Sequence, residues 1–166
     1  MLNFVEFIEI KYNRKQIAEH QLERAITLFL TNNDLSSVIT LAGAALNILA
    51  QLVRNSGKEP FEEYARRVHN YTIGFTPPRE KYNHFIHKVL GIIAHKHMNA
   101  TDLDIVKIDL NKCAIDALTA AVADYETLFG TTNNHVKSFI KWTFENTEKT
   151  KIMEYYKNLP KEFRRK

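Results

Sequence analysis

Residues 35–54, LSSVITLAGAALNILAQLVR, most constrain how this 166-residue chain can fold. Read as a helix of about 3.6 residues per turn, the stretch keeps its polar positions in one thin stripe. A helix that is apolar around the rest of its circumference must be enclosed by other helices on most sides. Asp34 before it and Gly57 after it are typical of helix caps. The sequence therefore predicts the central helix of a bundle. Its polar stripe consists of Ser36, Thr40, Gly43, Asn47, Gln51 and Arg54.

Helical spacing of apolar residues on both sides of this stretch predicts an all-α, single-domain bundle of five to six helices. An amphipathic segment at 13–31 precedes the central helix across the short turn TNND, which predicts an αα-hairpin. Further helical segments are expected at about 60–71, 78–97 and 109–130. Another follows from residue 136, and a weaker one stops before Pro160. The domain spans 1–166, with a basic C-terminal helix and tail at 147–166.

Two stretches do not follow a helical pattern. Residues 1–10, MLNFVEFIEI, fit either a short strand or an extra turn of helix. Residues 99–108 fit an extended connection. Since one isolated strand does not make a sheet, neither changes the expected fold class.

The composition favours a cytoplasmic protein without a cofactor. Cys113 is the only cysteine and lies in an apolar helical pattern, which is typical of a small core residue in a reducing compartment. Glu6 and Glu9 stand where a signal peptide would carry positive charge. No membrane association is expected, because no window resembles a span of about 20 apolar residues.

The basic character of the chain belongs to its C-terminal end. Residues 137–166 hold nine Lys and Arg against four Glu, so the remaining chain has a net charge of −1. Such a patch, with Arg164 and Arg165 as candidate binding residues, can attract nucleic acid weakly through phosphate contacts. The alternative is a solvated basic helix that only aids solubility.

Four of the seven histidines lie on or just after the predicted fourth helix, at positions 84, 87, 95 and 97. His84 and His87 are spaced to share a metal, but His95 lies about 16 Å further along the helix axis at ~1.5 Å per residue. We therefore expect no metal site. Cationic side chains in the last turn of this predicted helix, including Lys96, also have an ordinary explanation, because they interact favourably with the helix dipole.

The segments AEHQLERAITLFL (18–30) and SVITLAGAALNIL (37–49) resemble small bacterial helical proteins similar to the HEPN superfamily. Weaker similarity continues through residues 113–128 and 136–144. The resemblance implies a helical bundle that is usually dimeric. In active members it implies a metal-independent ribonuclease with an Arg, four to six residues, then a His. The Arg would stabilise phosphate charge and the His would act as acid or base.

The stretch that resembles this motif is IIAHKH, 92–97, in which Lys96 and His97 match but Ile92 stands in place of the Arg. An apolar side chain cannot stabilise a phosphate, so this copy of the motif is expected to be inactive. Arg79 and His84 have the spacing, but five residues at ~100° each set them about 140° apart on one helix.

These observations favour a HEPN-like dimeric binding or regulatory module without catalysis, with a second protein as a possible partner. The alternative is a metal-independent ribonuclease. A third possibility is a small-ligand pocket near Gly43 and Gly91. Trp142 and Phe144 cannot both face the core from one helix, which predicts a surface that a second copy covers. The catalytic candidates are Arg79, His84, His95 and His97, and the binding candidates are Asn47, Lys96, Asn99, Arg164 and Arg165.

Overall fold

Helices dominate the computed structural model, which describes residues 10–31 and 34–164. The all-α prediction is confirmed, and no strand occurs in those two ranges. The described chain forms more helices than expected, in part because the predicted segment at 78–97 is divided by a turn into two helices. The prediction for residues 1–10 concerns positions that, apart from Ile10, lie outside the described ranges. The helices are α1 (Arg14–Leu30), α2 (Leu35–Asn55), α3 (Phe61–Ile73), α4 (Arg79–Val89), α5 (Ile92–Lys96), α6 (Leu110–Phe129), α7 (Asn134–Asn146) and α8 (Lys149–Asn158), followed by a short 3-10 helix (Lys161–Phe163).

Helix α2 lies between α1 and α6, and these three helices form the core. α1 and α2 form the expected hairpin. Side chains along α2, such as Ile39 and Leu46, are fully buried. Each such aliphatic side chain contributes about 1.5–3 kcal/mol through removal from water. The apolar circumference of α2 is thus explained by neighbours on two sides.

By length and composition α2 is the one helix in the described chain able to cross a membrane, so the expectation that no stretch resembles a span was wrong. The core helix of a soluble bundle has the same properties, and half of the relevant window is buried inside this structure. The contacts with α1 and α6 account for its composition without a lipid environment.

Helix α7 covers the open side of α1 through aromatic side chains. Trp142 packs edge-on against Phe29, with ring centroids 4.6 Å apart, and stacks on Phe139. Phe144, two residues along α7, leaves 51% of its surface exposed. Trp142 is therefore partly buried against the core, and Phe144 is the member of the predicted pair that faces outward.

The cap of α3 comes from a distant helix. Pro60 precedes α3 and supplies no side-chain hydrogen bond. Instead Asp124 of α6, fully buried, accepts a hydrogen bond of 2.7 Å from the Phe61 amide. A carboxylate at this end of a helix also interacts favourably with the helix dipole. α3 is consequently anchored to α6 at its first residue.

The predicted fourth helix is interrupted at Leu90 and Gly91. Gly91 adopts a left-handed conformation (φ 72°), which ends α4 and starts the short α5 in a new direction. A Cβ atom at Gly91 would lie 3.0 Å from the Cβ of Cys113. Cys113 is buried, as predicted for a core residue, and burial raises the pKa of its thiol. The break directs Ile92 inward, where it is 1% exposed.

Ile92 fills the space above Gly43 on α2. A Cβ atom at Gly43 would lie 2.9 Å from two carbons of the Ile92 side chain. A glycine inside a helix otherwise free of Gly predicts the close approach of another helix backbone, but the close neighbour at Gly43 is a side chain. The side chains of Ile92 and Cys113 occupy the space beside the two glycines, where the sequence left a ligand pocket open as an alternative.

We predict that Gly43→Leu lowers the free energy of unfolding by on the order of 1–3 kcal/mol, because its side chain must displace Ile92. Urea unfolding of the purified variant measures the change. Gly43→Ala should cost less, and adding Ile92→Val should recover part of that loss. Equal stability of Gly43→Leu and wild type would contradict the packing described.

Candidate functional site

The main polar cluster joins α2, α3 and α4 around the carboxylate of Glu62. Glu62 is only 3% exposed. Arg54 of α2 donates to one carboxylate oxygen at 3.0 Å, and His87 of α4 contacts the other through Nε2 at 2.5 Å. Because a carboxylate only accepts, the His87 Nε2–H is the donor. The Glu62 carboxylate on α3 therefore binds one side chain from α2 and one from α4.

Two opposing effects set the charge of Glu62. Burial alone would raise its pKa, but the hydrogen bonds and positive charge of His87 and Arg54 lower the pKa below its ordinary value. The ionised form is therefore favoured in the folded protein. A buried carboxylate without these two partners would instead be costly.

Arg79 and Asn83 extend the cluster into an open cleft of about 400 Å³. They lie on the same face of α4 as His87, at intervals of four residues. Asn47 of α2 lines the opposite side. Arg79 forms an ion pair with Glu63 through its Nε atom and keeps half of its side chain exposed. The cleft thus brings together the predicted residues Arg79 and Asn47.

His84 and His97 line a different groove, of about 710 Å³, together with Asn99. This groove lies between α4 and the connection from α5 to α6. The Asn99 amide hydrogen-bonds to Asp102 at 2.7 Å, which closes a local turn. Within one chain, then, the two histidines share a groove with Asn99, and Arg79 lines another cleft.

His95 and Lys96 occupy the last turn of α5 and line neither of these two clefts. His95 donates from Nδ1 to the Gly91 carbonyl oxygen at 2.7 Å. This bond satisfies a carbonyl at the break between α4 and α5. Partial burial lowers the pKa of Lys96.

The basic C-terminal end folds back on α3. Leu159 is buried and Phe163 packs on Tyr71 with ring centroids 4.5 Å apart. The guanidinium of Arg164 donates to the Leu159 and Lys157 carbonyl oxygens at 3.0 and 2.6 Å. Arg164 therefore stabilises a chain end, and Arg165 lies outside the described ranges.

A second polar contact joins α1, α6 and the turn before α7. The Tyr125 hydroxyl donates to Glu19 at 2.5 Å, and Asn133 donates to Glu23 at 2.7 Å. Burial, then the contact with Glu19, raises the pKa of Tyr125 to about 12. Glu19 and Glu23 lie on the polar side of the amphipathic α1, where charged side chains usually face solvent, but here they connect α1 to α6 and to the turn before α7.

No group of three metal-ligating side chains occurs among residues 10–31 and 34–164. Glu62 was not predicted from the sequence, because the residues next to it along the chain form no motif that indicates a site. One signal was present: Arg79, Asn83 and His87 repeat every four residues on one predicted helix. Arg54 and Asn47 already shared the polar stripe of the central helix.

Comparisons with protein-family models, with curated proteins and with solved structures found no match for this chain. What the two clefts can bind or catalyse is therefore inferred from the residues that line them.

We predict that Glu62→Gln destabilises the protein by on the order of 2–4 kcal/mol at neutral pH, because Arg54 and His87 lose their shared carboxylate. Urea unfolding measures the loss. Glu80→Gln, which changes an exposed carboxylate lining the same cleft, is the matched control. A control as damaging as Glu62→Gln would contradict the importance of the buried pair.

The lowered pKa of Glu62 also predicts a pH dependence. Its contribution is fully present above the ordinary carboxyl pKa of 4.5 and is lost as the pH falls through the lower folded-state value. The stability difference between wild type and Glu62→Gln should therefore shrink below pH 4.5. A difference that stays constant from neutral pH to about pH 3 would contradict the ionised state of Glu62.

Proposed function

We propose that this chain is a HEPN-like helical binding or regulatory module without catalytic activity, acting as a homodimer in the cytoplasm. The observation that carries the non-catalytic part is the position of Ile92. It stands where the resembling motif requires an arginine, and it packs in the core against Gly43. Phosphoryl chemistry needs a cation where negative charge develops, and an inward aliphatic side chain supplies none.

The distribution of the other candidates supports the same proposal. Arg79 lines the cleft of Glu62, whereas His84 and His97 line the second groove. A cation and an acid–base group must act on the same phosphate, so separate clefts argue against cooperation within one chain. The cleft of Glu62 then serves for binding, with Asn47 and Arg79 as exposed groups and Asn83 partly buried.

One observation favours the ribonuclease alternative. Arg79 and His87 line a single cleft, and the buried Glu62 orients the imidazole. An imidazole held by a carboxylate is an arrangement that acid–base catalysis uses. Against this, both arginines of the cleft already have carboxylate partners, Glu62 and Glu63.

Incubation of the purified protein with mixed RNA and a chelator tests the two functions. We expect no cleavage, with a known metal-independent ribonuclease as the positive control. The variants His87→Ala, His84→Ala and His97→Ala separate real activity from contamination. Cleavage that copurifies with wild type and disappears in one of these variants would establish the ribonuclease alternative.

A weak, sequence-independent affinity for nucleic acid is a second proposed property of the basic end. Lys137 and Lys141 of α7 and Lys151 of α8 are exposed. The ion pairs of Lys141 with Glu145 and of Lys151 with Glu148 are exposed as well, so they are weak and a phosphate can compete for these lysines. Because Arg164 is engaged with carbonyl groups, we assign this affinity to the helical lysines rather than to the tail.

We predict that affinity for mixed single-stranded RNA falls steeply with salt, since bound lysines release counterions. Replacing Lys137 and Lys151 by Ala should reduce the slope of log affinity against log salt by about 0.7 for each phosphate that is no longer neutralised. Lys11→Ala, at the other end of the chain, is the control. Fluorescence anisotropy titrations measure the slopes, and equal slopes in all three proteins would refute this role.

A further inference from the structure

Exposed apolar side chains are concentrated beside α4. Seventeen large hydrophobic residues are exposed in the described chain, and seven of them lie between residues 84 and 108. Leu103 and Ile105 are the most open, at 81% and 79% exposure. Apolar patches of this kind on soluble proteins usually mark a surface that a partner covers. We call this surface the α4–loop face: the exposed side of α4 together with the connection at 97–109.

The two halves of the α4–loop face carry opposite charge. Helix α4 holds three Lys and Arg against one Glu, a net charge of +2. The connection at 97–109 holds three Asp against one Lys, a net charge of −2. Lys88 of α4 and Asp104 of the connection line the same groove, so the halves lie side by side.

We infer that the α4–loop face binds the same face of a second copy of this chain. In a two-fold symmetric contact, each protomer presents one patch to the same patch of its partner. With the two-fold axis between α4 and the connection at 97–109, the basic α4 of each copy lies beside the acidic connection of the other copy. The exposed apolar residues, among them Phe85 and Ile105, are covered in the same contact. Nucleic acid and anionic membranes fit this face less well, because the carboxylates of Asp102 and Asp104 repel them.

This inference rests on the homodimer proposed above and assigns its surface. The pattern of aromatic residues on α7 instead predicts a partner over Trp142 or Phe144, and Phe144 remains a competing surface. The two surfaces make different predictions for point variants, so the dimer and its interface can be tested separately.

Charge reversal provides the test. Lys88→Glu and Asp104→Lys change exposed side chains, one from each half of the face. Each variant alone places like charges opposite each other at two symmetric positions, so dimerisation should weaken by about tenfold or more. An equimolar mixture restores both pairs of opposite charge and should recover wild-type affinity. Lys11→Glu, an equal charge change at an exposed position outside this face, should leave dimerisation unchanged.

Analytical ultracentrifugation at micromolar concentration and low salt measures these affinities. Circular dichroism confirms that each variant keeps its helices. Ile105→Ser tests the apolar part of the face and should also weaken the dimer, whereas Phe144→Ser should not.

The outcomes separate this inference from the proposed function. A monomeric wild type would overturn both the homodimer and the face. A dimer that tolerates both charge reversals and Ile105→Ser, but dissociates in Phe144→Ser, would overturn the α4–loop face and leave the homodimer standing. Failure of the mixture to recover affinity would overturn the reciprocal, two-fold arrangement.

Discussion

The close contact between Gly43 and Ile92 determines how the second half of the helical domain meets the first. Helix α2 is covered by α1 and α6 on two sides, and its Gly43 position admits a side chain from a third. Ile92 reaches that position only because Gly91 bends the chain in a left-handed conformation. The direction of α4, and with it the placement of His87 and Arg79, depends on this turn. Gly43 on α2 thereby helps to determine where the polar side chains of α4 lie.

The cleft around Glu62 illustrates why apolar packing and polar chemistry occur together in this bundle. Three helices meet there, and a purely apolar contact would leave Arg54 and His87 without the carboxylate that both contact. The buried carboxylate accepts from Arg54 Nη2 and His87 Nε2, which restricts how the helices can slide. Replacing a buried ion pair by apolar residues is often neutral for stability. The cluster of Glu62, Arg54 and His87 therefore supports a role in positioning the cleft in addition to stability.

The helical architecture could be predicted because it depends on local patterns. Apolar spacing and the predicted cap Asp34 marked the long helices to within a residue or two, and in the structure Asn13 and Asp109 also cap their helices. The polar cluster could not be predicted in the same way. Glu62, Arg54 and His87 are separated by up to 33 positions, and their meeting depends on helix crossing angles that no local pattern encodes. The break at Gly91 was also missed, because a single glycine in a helical pattern is compatible with continuation.

The cap that Asp124 provides for α3 has a consequence for the order in which the protein assembles. Without a side-chain cap from Pro60, α3 lacks a local stop to fraying at its first turn. The group that replaces it lies 63 residues away along the chain. Short isolated helices are marginal in water, so α3 becomes stable only after α6 has packed on α2. Amide hydrogen exchange should then distinguish two cooperative units: a slowly exchanging one made of α1, α2 and α6, and a faster one made of α3 and α4 that opens while the first remains folded.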